Sequence, residues 1–513
     1  MTGPLSLSRR QTVTALTAML MLAPLPAGAQ ARPGESFSWS RLQRMAQAGA
    51  RKPWTPVELR SHAHHIDYDA VGQIAYREDK TLWNDPATNT ALRFFPLSRF
   101  AATPVEINLV ENGRSVPFPY DVTLFESGSR DLAALLAESD GFAGFRAMNP
   151  GGVGDWLAFQ GASYFRSAGP LDQYGLSARG IAVNTSVPGA SEEFPTFTRF
   201  WLERGEDGAL IVYAYLDGPS LTGAFRFVNR KGADAVTQDV SVSLYPRKDI
   251  EQLGLAPLTS MFWYGEGNRK AAVDWRPEIH DSDGLAILTG NGERIWRPLT
   301  NPGRTATNSF SDRAPNGFGL LQRDRDHDNY LDDGVFYEKR PSLWVEPQGD
   351  WGAGSVVLYE IPTEKEYEDN IVAFWQPAAP IRAGRRVDFN YRLSWIGDEP
   401  QPISVARNIG LWKGVAGRPA HDPVPGARKV VLDFDGPQLK PYTEIGSAEA
   451  VIDVTNGRVL SSFAHPVQGT PGRWRLAIDL APETTEPTDL RVFLRANGNA
   501  LTETVIYQLH WTD

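Results

Sequence analysis

The chain has 513 residues, of which 22% are charged and 42% hydrophobic, and a formal net charge of −10. That length predicts two domains, one of them large. The acidic surplus is spread along the chain with no basic stripe, which excludes a nucleic-acid partner and disfavours an anionic polymer. With no cysteine, disulfides, thiol catalysis and cysteine-ligated zinc are excluded too.

The first segment reads as an address. Ser8-Arg9-Arg10-Gln11-Thr12-Val13 sets a twin arginine ahead of the apolar run Val13 to Leu25, and Ala27-Gly28-Ala29 follows. A basic start, a short apolar middle and an A-x-A end make a twin-arginine export signal over residues 1–29. The run falls short of the ~20 residues a membrane span needs, so no span remains once the signal is removed. The expected location is the periplasm, with the mature chain beginning near Gln30.

Two helices are predicted, one from Ser40 to Gly49 and a short one over Asp131–Ser139, where Leu132, Leu135 and Leu136 share a face. The rest alternates like β-structure. Phe197–Glu203, Ala209–Leu216, Leu221–Asn229 and Gln238–Tyr245 are parted by glycine-bearing turns and read as an antiparallel meander. The polar joint Asp398-Glu-Pro-Gln-Pro402 separates them from a compact run of strands at 429–435, 448–454, 458–463, 474–480, 489–494 and 502–511. Asn456-Gly457 between two of these predicts a type I′ hairpin. The expected fold is all-β: a large antiparallel β-sandwich over residues 30–398 and a smaller immunoglobulin-like sandwich over 399–513.

Seven of the fifteen tryptophans lie between Met261 and Trp395: Trp263, Trp275, Trp296, Trp344, Trp351, Trp375 and Trp395. Arginines and carboxylates alternate densely around them, as in Asp274-Trp-Arg-Pro-Glu-Ile-His-Asp-Ser-Asp-Gly284. Sugar rings pack their C–H faces on indole and bond carboxylate and guanidinium through their hydroxyls. This composition suits a groove for a neutral polysaccharide, expected between the sheets of the large domain. Its candidate substrate-binding residues are Trp263, Tyr264, Arg276, Asp283, Arg297, Arg323, Trp344 and Trp351. The competing reading is that the tryptophans fill a large core.

Metal patterns are rejected. Asp324-Arg-Asp326-His-Asp328 begins like a calcium loop, but its sixth position is Asn329 and its twelfth Val335. His62, His64 and His65, followed by Asp67 and Asp69, have no helical i, i+4 pair to hold zinc. Serine elbows, phosphate loops and dinucleotide fingerprints are missing, so no cofactor is expected. Carboxylate chemistry across a glycosidic bond remains, with 61 acidic residues to choose from.

Several long runs resemble the periplasmic glucan biosynthesis proteins G and D. They are Phe262-Trp-Tyr-Gly-Glu-Gly-Asn268, Trp275 through Leu285, Phe318 through Asp326, Asp332 through Pro347, and Glu368-Asp-Asn-Ile-Val-Ala-Phe-Trp375. The resemblance implies a mutarotase-like sandwich joined to an immunoglobulin-like one, and a role in making osmoregulated glucans with a β-1,2-linked backbone. It implies an inverting β-1,2-glucanase or transglycosylase in which Asp369 resembles the general acid and Asp281 the general base. Protein D typically carries the twin-arginine signal, though Thr12 stands where that signal usually has phenylalanine. The alternative is a non-catalytic protein guiding nascent glucan from a membrane glucan synthase.

Overall fold

The structure, a computed structural model, describes residues 34–400, 403–418 and 420–511. The export signal expected at 1–29 lies outside the described residues. The fold is mostly β, with several sheets in a sandwich-like arrangement. Among the described residues the two largest sheets have sixteen and ten strands.

The expected meander is present. Thr196–Arg204, Leu210–Asp217, Leu221–Lys231 and Ala235–Pro246 are successive antiparallel neighbours in the sixteen-stranded sheet. Their alternation has a clear target: Phe197, Phe225 and Phe227 point at the ten-stranded sheet. Phe159 and Phe165 from that sheet meet Phe227 edge-on at ring distances of 5.2 and 5.1 Å. This aromatic layer packs the two sheets against each other in the main core. On the opposite face of the meander lies the helix Trp39–Ala50, capped by Ser38, which buries Leu42 and Ala46. The second predicted helix spans Arg130–Ala137 and buries Leu132 and Leu136.

The C-terminal strands are where expected, but their pairing is not local. Glu449–Thr455 pairs with Thr488–Ala496, whereas Gly457–Pro466 pairs with Arg473–Pro482 in a separate four-stranded sheet. Asn456-Gly457 is therefore a crossing between sheets, not the hairpin its dipeptide predicts. Asn456 takes a φ of 59°, and its side chain donates to the Pro487 carbonyl. Leu432, Phe434, Leu476 and Ile478 pack against Leu490, Val492 and Val505 in a second core. Thr504–Leu509 runs parallel to Arg294–Pro298, so the large sheet continues unbroken into the C-terminal strands.

No helix among the described residues is long and apolar enough to cross a membrane. Nor is any group of three or more of their His, Asp and Glu side chains arranged to hold a metal ion. The acidic loop at 324–329 is tied internally: Asp324 accepts from Asp326 N and from Asn329 Nδ2.

Candidate active site

The outer face of the ten-stranded sheet carries the candidate site. Phe165 points inward, so its neighbours Tyr164 and Arg166 point outward by the two-residue period of a strand. Arg179 pairs across from Tyr164 and lies over its ring at 5.3 Å. Two further strands, Leu253–Ser260 and Ile371–Pro377, run side by side in the same sheet and are paired through Ser260 and Ile371.

Where those two strands meet, the segments that carry Asp281 and Asp369 are each tied to the residues that follow Ser260. Asp281 N donates to the Met261 carbonyl at 2.8 Å. Asn370, next to Asp369, is buried and grips the following residue. Its Oδ1 accepts from Phe262 N at 2.9 Å, and its Nδ2 donates to the Phe262 and Ile361 carbonyls. Both aspartates are thus fixed to one stretch of backbone, Met261–Phe262.

Arg340 ties them electrostatically. Its guanidinium forms an ion pair with buried Asp281 and stacks over the Tyr337 ring at 4.0 Å. Asp369 is open to solvent, yet protein crowds its carboxyl. That desolvation raises its pKa, while Arg166 and Arg340 pull it back down. The same carboxylate acts on Tyr164, whose phenol is raised mainly by burial.

Of the predicted groove residues, Trp263, Tyr264 and Arg276 border this region. Tyr264 is buried and donates to Asp274. Arg276 is fully engaged: it donates to Asp274, Asp332 and Glu366, pinning three loops at one point. The others lie apart from the open face. Trp344 is buried in the second core, and Trp351 donates to the Asn390 carbonyl while packing on the main core. Arg297 is buried against Glu360 at 2.9 Å. Arg323 joins Glu399 and Glu503 and lies 3.5 Å from the Trp296 ring centre, beside the second core. Asp283 accepts from the Arg323 and Asp324 backbone. Trp275 alone of the seven tryptophans is exposed, at 71%.

Behind Asp281 lies a buried ionisable cluster. His280 contacts Glu278 at 3.1 Å and Gln322 at 3.1 Å. Burial opposes its protonation, but Asp283, Glu278 and Glu266 outweigh that and lift it to about 9. Glu266 is pushed up to about 8 by burial and by Glu278 and Asp283, and it accepts from Leu411 N of the C-terminal part.

Sequence reasoning missed Arg340, Arg166, Tyr164, Tyr337 and Glu366. Two of them, Tyr337 and Arg340, sit inside the contiguous run Asp332 to Pro347 that carries the family resemblance. Tyr164 and Arg166 had no such signal.

Fold and site define an all-β protein in which one arginine, Arg340, pairs with buried Asp281 and lowers the pKa of exposed Asp369. The chain belongs to the family described as "Periplasmic glucan biosynthesis protein, MdoG", which matches residues 37–509. It is 44% identical to glucans biosynthesis protein D 2 of Ralstonia nicotianae, over 92% of this chain and 91% of that protein. It is also 44% identical to the probable glucans biosynthesis protein D of Shewanella oneidensis, over 96% and 92%. Glucans biosynthesis protein D of Stenotrophomonas maltophilia is 42% identical, over 95% and 94%. Among solved structures, an α-galactosidase from Lactobacillus brevis matches 42% of this chain and 28% of its own at a TM-score of 0.24 and 9% identity, too low to bear on the fold. Membership gives the chain a role in periplasmic glucan biosynthesis and implies a periplasmic location.

Proposed function

We propose that the protein cleaves or transfers β-1,2-glucan chains by an inverting mechanism, with Asp369 as general acid and Asp281 as general base. The observation that carries this reading is Arg340, which pairs with Asp281 and whose charge also lowers the pKa of Asp369. Desolvation favours the protonated form of Asp369, as a proton donor to a leaving oxygen requires. Asp281 has a guanidinium beside it to balance its negative charge, as suits a group that accepts a proton from water. Inversion needs room for that water, so the carboxyls must stand farther apart than the ~5–5.5 Å of a retaining pair. A relay through a substrate hydroxyl would stretch the gap further.

The rival reading is a non-catalytic protein that guides nascent glucan from a membrane glucan synthase. The Asp281–Arg340 ion pair fits it too, since a carboxylate so engaged can also serve to hold the site wall. Asp369→Asn and Asp281→Asn decide between them. The enzyme reading expects both variants to bind linear β-1,2-glucan as the parent does while releasing reducing ends at least about a hundredfold more slowly. Variants that keep most of their turnover at saturating glucan sink the catalytic assignment. We also propose that residues 1–29 direct export by the twin-arginine route.

A further inference from the structure

The two loops that flank the aspartates each carry one conspicuously exposed aromatic ring. Trp275 is 71% exposed and Tyr367 81%. Single exposed aromatics are common and call for no explanation. These two are tied to each other: Arg276, next to Trp275, donates to both carboxylate oxygens of Glu366, next to Tyr367, at 2.9 and 2.7 Å.

The tie continues to the candidate catalytic groups. Glu366 accepts from the Tyr337 hydroxyl, the Tyr337 ring lies under Arg340, and Arg340 pairs with Asp281. Three residues beyond Glu366 is Asp369. Both rings therefore stand on loops linked by a chain of contacts to the site of the two aspartates.

Their loops are braced from within. Asp274 accepts from Arg276 N and from the Tyr264 hydroxyl. On the other loop, Thr363 and Lys365 both donate to Glu368. Lys365 Nζ lies 5.7 Å from the Tyr367 ring centre. Rings held open to water on pinned backbone lose little freedom on meeting a ligand. A flat apolar face beside solvated polar groups matches the C–H face of a pyranose ring.

We propose that Trp275 and Tyr367 form a sugar-stacking subsite on the loops beside the two aspartates, held in place by the Arg276 clamp and taking a neutral glucose unit of the same glucan chain. This rests on the proposed function for the identity of the polymer. The subsite serves binding of longer chains; it takes no part in bond cleavage.

The test uses full-length Trp275→Ala and Tyr367→Ala, each also combined with Asp369→Asn so that binding is read without turnover. Calorimetry with linear β-1,2-glucans of increasing length should show about three- to tenfold weaker affinity for each variant. The loss should appear only with chains long enough to reach from the aspartates to the two rings. In the turnover-competent background KM should rise while kcat holds, and Trp275→Phe and Tyr367→Phe should restore most of the affinity. Variants that bind every chain length as the parent does overturn the subsite alone. A wild-type protein that binds the glucan but never cleaves or transfers it overturns the catalytic reading, and the subsite is then judged on the binding data. A parent protein that binds no β-1,2-glucan overturns both.

Discussion

Replacing Arg297 by glutamine should cost the protein stability and leave the glucan site untouched. The Arg297 and Glu360 side chains are 1% and 0% exposed and meet at 2.9 Å. Glu360 also accepts from the Thr300 backbone and hydroxyl, but these neutral donors cannot balance its charge. Removing one partner of a buried ion pair costs about 3–5 kcal/mol, because the other charge stays desolvated. Unfolding entropy runs near ~2.1 cal/mol/K per residue. A chain of 513 residues thus has an unfolding entropy of roughly 1 kcal/mol/K, and the Tm should fall by about 3–5 °C. Differential scanning calorimetry measures this, with calorimetric titration of β-1,2-glucan on the same sample. The paired change Arg297→Met with Glu360→Gln should recover more than half of the loss, since neither buried charge remains. An unchanged Tm together with weakened glucan affinity would refute the reasoning and return Arg297 to the groove.

Stability should also fall on the alkaline side. His280, lifted to about 9, and Glu266, lifted to about 8, both hold more protons folded than unfolded between pH 6.5 and 8. The His280 contribution is complete below ~6.5 and lost as pH rises through about 9, while ionising Glu266 increasingly burdens the fold above ~4.5. Each group changes stability by up to about 1.4 kcal/mol per pH unit, so a Tm that stays level or climbs from pH 6.5 to 9 contradicts the assignment. Arg340→Gln removes a cation that lowers the Asp369 pKa, so the alkaline limb of the turnover profile should move to higher pH; a limb that stays put argues against Asp369 as the acid. Changing Arg9 and Arg10 to lysine should trap precursor inside the cell, and an undiminished periplasmic yield would reject the twin-arginine route.

Much of the fold was legible because alternation and turn chemistry are local. Val240, Val242 and Leu244 alternate with polar residues, and the strand Ala235–Pro246 follows. Leu42 and Ala46, four residues apart, mark a helix whatever it packs on. The family resemblance, carried by long contiguous runs, singled out both aspartates. Local signals do not say which distant strand will be the partner. Asn456-Gly457 is a hairpin dipeptide, yet Glu449–Thr455 finds Thr488–Ala496 instead, since the second core is built by packing two sheets face to face.

The same limit governs the site. Composition places tryptophans and arginines in one span, but a tryptophan in water and one in a core look alike in sequence. Sheet packing buries Trp296, Trp344, Trp375 and Trp395 and leaves Trp275 open. An arginine is free to meet a ligand only if no carboxylate claims it first, and those claims come from far along the chain: Glu360 for Arg297, Glu503 for Arg323, Glu366 for Arg276. Asp281 and Asp369 were pointed out by the family resemblance alone, among 61 acidic residues. That Arg340 would pair with Asp281 was decided only by the tertiary structure, because charge pairing follows distance in space and not in sequence.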